Sequence, residues 1–239
     1  MTDFIKGVKF AFGGFGLINK PGIRLYVLLP LVINTLLFTL VIVYGAGLMG
    51  DFIDRLLAHW TWLEWFTWLL WPLFAIVMLI AVFFCFAVVA NLIGAPFNGF
   101  LAAAVESRLT GTAGTDSGHG LLYEIVMALK SELVKFLYFI VRAIPLLLLL
   151  LIPVIGPVIW FFFGAWMLAL EYLDYPMGNH GMFFPDIRQN ARSRRALALG
   201  FGSGVLLLTM IPLVNFIAMP VAVAGATRLY LDEFKSRGA

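Results

Sequence analysis

Lys20-Pro21-Gly22-Ile23-Arg24 stands at the start of the first long apolar stretch and holds the residue types best suited to meeting an anion. A helix start leaves backbone N–H groups unpaired and carries the positive end of the helix dipole. Gly22 has no side chain to keep a ligand away from the backbone. Arg24 adds a planar fork of donors that matches a tetrahedral oxyanion. Together these favour sulfate or phosphate. A structural role fits the same residues: Arg24 on its long stem can reach from an apolar surface to the head-group layer.

Other polar groups lie at the ends of apolar segments. Asn91, Asn98, Glu106 and Arg108 follow the second apolar run, Glu171 and Asp174 follow the third, and Arg228 and Asp232 follow the fourth. Ionisable groups at membrane depth are costly and usually face a bundle interior or water. Glu106, Arg108 and Arg228, with Asn91 and Asn98, fit the lining of an anion path; they fit structural ion pairs at helix ends equally well. Motifs for enzymatic or cofactor chemistry are missing. There is no GxxxxGK[ST] phosphate loop. Gly13-Gly14-Phe15-Gly16 follows no strand, as a dinucleotide site requires. His59, His119 and His180 lack metal-ligand spacing. The single Cys85 sits in an apolar run and reads as a packing residue.

The elements that must carry these groups follow from composition. The chain is 62% apolar and 12% charged, whereas soluble domains run near 45–50% and 25%. Lipid must therefore solvate much of it. The net charge of +3 comes from basic residues that border apolar stretches, which points to lipid head groups or an anionic solute rather than nucleic acid. No cleavable leader is visible, so the first apolar run is expected to stay as an anchor.

Residues 1–20 read as an interfacial amphipathic helix, with Phe4, Val8, Phe12 and Phe15 at helical spacing beside Lys6 and Lys9. Spans are expected at 25–48 and 69–90, joined by a Trp-rich connection that suits a head-group belt. Residues 121–142 read as a second amphipathic helix, with Ile125, Leu129, Leu133, Phe136 and Ile140 on one face and Glu124, Lys130, Glu132 and Lys135 on the other.

The next stretch decides the architecture. Residues 143–170 carry no charge, and Ile152-Pro153-Val154-Ile155-Gly156-Pro157 interrupts them. One straight helix over them would reach about 42 Å, too long for one comfortable crossing, and two crossings need roughly 40 residues. A hairpin that enters and returns to the same side resolves the mismatch. The pattern recurs at 196–231, broken by Pro212 and Pro220: Tyr172-Leu173-Asp174 follows the first break as Tyr230-Leu231-Asp232 follows the second. The expected fold class is an all-α integral membrane protein in a single membrane domain, 1–239. It holds two long transmembrane helices, two re-entrant hairpins (143–173 and 196–231) and an N-terminal amphipathic helix. Four Lys/Arg precede the first span, only Arg55 lies between the spans, and eleven follow. That distribution places both termini inside.

Three stretches carry a family resemblance: Pro21-Gly22-Ile23-Arg24; Asn91-Leu92-Ile93-Gly94-Ala95-Pro96-Phe97-Asn98-Gly99; and Ala165-Trp166 through Glu171-Tyr172-Leu173-Asp174-Tyr175-Pro176 to Asn179-His180. On these the chain resembles the CysZ family of bacterial sulfate permeases over nearly its whole length. The resemblance implies sulfate uptake across the bacterial inner membrane to supply cysteine synthesis, by a homo-oligomer, a hexamer, with no cofactor. It also implies sulfate binding at Gly22, Ile23, Arg24 and Leu25, where Leu25 stands in place of the second arginine of a Gly-Leu-Arg-Arg-like stretch. The rival expectation is a hairpin protein that wedges one leaflet and shapes the membrane without transporting anything.

Overall fold

A computed structural model describes residues 1–60, 65–111 and 121–235; within these, the side chains at 34, 57, 70, 81–96, 121–125 and 128 are outside the description. Every regular element among the described residues is a helix. In chain order they are α1 (Thr2–Ile18), α2 (Arg24–His59), α3 (Thr67–Thr110), α4 (Leu121–Leu149), α5 (Ile155–Gly178), α6 (Phe184–Ser193), α7 (Arg195–Met210) and α8 (Pro212–Glu233). Among the described residues three helices are long and apolar enough to cross a membrane: the Arg24–Leu56 part of α2, α5 and α8; the expected span at 69–90 runs into residues 81–96, whose side chains are outside the description.

The chain forms two compact units, one of residues 28–97 and one of residues 1–27 with 98–239. In the first, α2 and α3 run antiparallel. Phe52 meets Phe74 edge to face at 5.7 Å, and Gly45 leaves room for the Met78 methyl. Both helices outrun their expected bounds. α2 continues past Leu48 to His59, because Asp51, Asp54 and Arg55 change the polarity of the chain without breaking its helix. Trp60, Trp65, Trp68 and Trp71 are exposed; Trp62 lies outside the described residues.

The second unit holds the packed core. The Pro153 break is present, and α4 and α5 fold back on each other around it. Trp160 Nε1 donates to the Leu146 carbonyl at 2.9 Å, Phe139 stacks on Phe163 at 5.6 Å, and Trp166 Nε1 donates to the Tyr138 hydroxyl at 2.9 Å. Each pair adds to nearly the same sum of residue numbers, as an antiparallel hairpin with its tip near Ile152 requires. Residues 121–142 and the first arm are one continuous helix rather than two elements, since no breaker separates them and Pro145 is tolerated inside α4.

The burial of α4 departs from that of a soluble amphipathic helix. Leu129, Leu133, Phe136, Val141 and Ile144 face outward, while Ser131 and Lys135 are buried. The Ser131 hydroxyl accepts the Phe184 N–H at 2.8 Å. Water would drive the opposite arrangement; lipid makes this one cheap.

The α7–α8 pair turns at Ile211-Pro212, with Pro at the first turn of α8. α1 packs on it through small residues. Gly7, Ala11 and Gly14 are buried, and a Cβ at Gly7, Gly14, Gly200 or Gly225 would strike the backbone of the facing helix. The expected aromatic face of the N-terminal helix is therefore not its buried seam: Phe12 is exposed. Close backbone approach, not side-chain bulk, holds this contact.

Candidate functional site

The turn between α1 and α2 shapes the expected anion site. Gly22 has φ +89°, a conformation that only glycine enters without penalty. It reverses the chain so that Ile23 is buried while Arg24 and Leu25 stay exposed. The backbone N–H groups of Ile23 and Arg24 both point to the Lys20 carbonyl, at 3.1 and 3.4 Å. Those two amides are thus already engaged, and side chains are the donors left for a ligand. Arg24 Nε donates to the Asn19 carbonyl at 2.6 Å, placing a cation against the negative end of α1.

A cleft of about 510 Å³ opens beside this turn, lined by Gly22, Ile23 and Tyr26 on one side and Phe100, Ser107 and Arg108 of α3 on the other. Gly22 and Arg108, remote in sequence, thus share one cavity with a hydroxyl, a guanidinium and an open backbone position. Arg24 is not in its wall, and Leu25 points outward.

The remaining expected residues have definite partners. Asn98 is buried; its amide donates to the Tyr175 hydroxyl and to Met219 Sδ, both at 3.2 Å. Arg228 pairs with Asp232 at 3.5 Å one turn along α8. The Asn91 side chain lies outside the described residues. Glu106 is buried at 2% exposure. His180 Nε2 lies 3.0 and 2.9 Å from its two oxygens, and Lys235 Nζ donates to it at 2.7 Å. Burial pushes the Glu106 carboxyl up, but the hydrogen bonds and charges of Lys235 and His180 outweigh that and hold it below its ordinary value.

Two further ion clusters bring together residues that the sequence does not link. Lys135 is buried and reaches Asp174 at 2.6 Å, Glu132 at 2.8 Å and Glu171 at 3.0 Å. Burial pulls its ammonium down, and the charges of Asp174 and Glu171 more than reverse this, so it stays a cation. Arg194, ahead of α7, reaches Asp3 at 2.7 Å and also pairs with Glu233, which binds Lys6 as well. The Glu106 and Arg194 clusters sit near helix ends, and the Lys135 cluster joins the middle of α4 to the last turns of α5, away from the Ile152 tip. Apart from Glu132, one turn from Lys135, the partners lie far apart in the chain, 36 positions for Lys135–Glu171 and 191 for Arg194–Asp3, so no local spacing announces them. Among the described residues no group of three His, Cys, Asp or Glu side chains is placed to hold a metal.

Comparison with known proteins places these features in context. Residues 10–220 match the family model described as Sulfate transporter CysZ/Etoposide-induced protein 2.4. A relative from Pectobacterium atrosepticum, named Sulfate transporter CysZ, is 41% identical over 98% of this chain and 87% of its own length.

Proposed function

Since the chain belongs to the Sulfate transporter CysZ/Etoposide-induced protein 2.4 family, we propose that it carries sulfate across the bacterial inner membrane, as a homo-oligomer that supplies sulfate for cysteine synthesis. The observation that carries the reading is the cleft that joins Gly22 and Ile23 to Ser107 and Arg108. Its wall offers a guanidinium and a hydroxyl to a dianion in a partly apolar setting, where charge-assisted bonds are strong. Arg24, one residue beyond the cleft wall, raises the local potential and gathers sulfate from solution. From there the dianion follows polar groups of the same unit, with Asn98, Glu106, Arg108 and Arg228 near its path.

Both hairpins are read as re-entrant. The uncharged part of α5 ends at Leu170, which gives an apolar rod of about 24 Å, short of a hydrocarbon core of about 30 Å. The ion clusters at the hairpin bases then lie in the head-group layer, where charges are tolerated. A protomer with two full spans is too thin to enclose a path, so several copies must assemble around it.

Energetics limit the driving force. Bringing a dianion into a negative interior costs about 4.6 kcal/mol per 100 mV, twice the single-charge value. Net uptake therefore needs rapid sulfate consumption inside or a coupled ion.

Sulfate titration of the purified protein tests the site. Arg108→Ala is expected to weaken binding about tenfold, the loss of one charge-assisted contact, and Arg24→Ala to weaken it less, through the lower local potential alone. Identical affinity in wild type and both variants would remove sulfate from this cleft and favour a protein that only shapes the membrane.

A further inference from the structure

Tyr138 of α4 is buried and fixed from two sides. Its hydroxyl accepts the Trp166 indole N–H at 2.9 Å, and its ring meets Phe184 edge to face at 5.3 Å. Two cations converge on this ring. The Arg142 guanidinium carbon lies 3.6 Å from the ring centroid and that of Arg188, on α6, lies 5.1 Å from it. Both side chains are half-buried. Among the described residues neither has a carboxylate within 4.0 Å, although Lys6, Lys135, Arg194, Arg228 and Lys235 all do. Arg142 spends one donor on the Tyr138 carbonyl, at 3.4 Å.

Two like charges that share one aromatic platform repel each other, and the ring quadrupole offsets only part of that. Their separation cannot exceed the sum of the two distances to the centroid. One tetrahedral oxyanion that accepted from both forks would offset that repulsion. The setting selects among oxyanions. Arg142 is the last charged residue before the uncharged run 143–170, and Val141, Ile144 and Leu148 beside it are exposed. A ligand held here presents charge to the two arginines and apolar chain to α4.

We propose that Arg142 and Arg188 form a phosphate clamp for an anionic lipid head group, with the acyl chains laid along the outward face of α4. The clamp is separate from the Gly22–Arg108 cleft. It rests on the reading of the α4–α5 hairpin as lipid-embedded, but not on sulfate being transported. Its occupant ties α6 to α4 and steadies the base of the first hairpin.

Native mass spectrometry of the full-length protein in detergent tests the clamp, with phosphatidylglycerol, phosphatidylcholine and inorganic sulfate titrated separately. Wild type is expected to retain phosphatidylglycerol at least about fivefold better than phosphatidylcholine. Arg142→Gln plus Arg188→Gln abolishes that preference, and Arg195→Gln, an exposed cation outside the clamp, keeps it. The single variants, each less invasive to the fold, are expected to lose part of the preference. Unchanged lipid preference in a double variant that elutes and melts like wild type overturns the proposal. Loss of sulfate retention in that variant, with lipid preference intact, overturns the lipid assignment in favour of a free oxyanion. The readout involves no flux, so a failure here is distinguishable from a failure of the transport reading.

Discussion

At the scale of single residues, the account turns on where charge is compensated. Glu106 is the clearest case. Its buried carboxylate is held by Lys235 and His180, and its folded-state pKa lies below the ordinary 4.5. A depressed carboxylate pKa contributes stability that is fully present above the unfolded value and is lost as pH falls through the folded one. Wild-type melting temperature in detergent is therefore expected to fall on acidification below 4.5. Glu106→Gln should lack that component and lose about 1–3 kcal/mol at neutral pH, because a buried acceptor has lost its charge. An unchanged melting profile in the variant would show that the cluster carries no stability. Sequence alone marked Glu106 as an ionisable group in a costly place. It does not supply His180 as its partner, because no local spacing links the two: folding brings this histidine to a carboxylate 74 positions away. Lys135 was hidden for a related reason. Its spacing sets it on a polar face with Lys130 and Glu132, yet Lys135 is buried while those two stay exposed.

At the scale of elements, proline and glycine were the legible signals. Ile152-Pro153 and Ile211-Pro212 mark real helix breaks, and the chain turns there, whereas Pro220, expected as a second break, lies inside α8. Changes in polarity without a breaker were misleading. α2 runs through its charged end and α4 runs through Arg142 into the apolar arm. α6 is not among the expected elements, although Phe183-Phe184-Pro185-Asp186 carries a start signal: the Phe183 N–H donates to Asp186 Oδ2 at 3.3 Å, with Pro in the first turn. Glycines within the helices divide sharply by context. A Cβ at Gly202 would collide with the Ala165 carbonyl, whereas one at Gly16 meets nothing within 4 Å. Gly202→Ala is accordingly expected to destabilise by about 2 kcal/mol or more through forced separation of α5 and α7. Gly16→Ala should be neutral or stabilise by up to about 1 kcal/mol through helix propensity. Thermal unfolding of both variants checks this pair, and equal effects would contradict the close packing of α5 on α7.

At the scale of the whole molecule, membrane character was legible from composition, but topology is a matter of sides. α5 and α8 have the length and hydropathy to cross, while the Glu106 and Arg194 clusters sit near helix ends and the Lys135 cluster lies away from the Ile152 tip. The re-entrant reading expects Thr2→Cys and Ser193→Cys, each in a Cys85→Ser background, to react with an impermeant maleimide from the same side of the membrane. Labelling from opposite sides within one protomer would make α5 a full crossing. Transport itself is tested most directly by radiolabelled sulfate uptake into proteoliposomes that contain only this protein and lipid. Uptake that rises with an imposed sulfate gradient, saturates, and drops at least about tenfold with Arg108→Ala is the expected result. Flux no greater than in protein-free vesicles would contradict it.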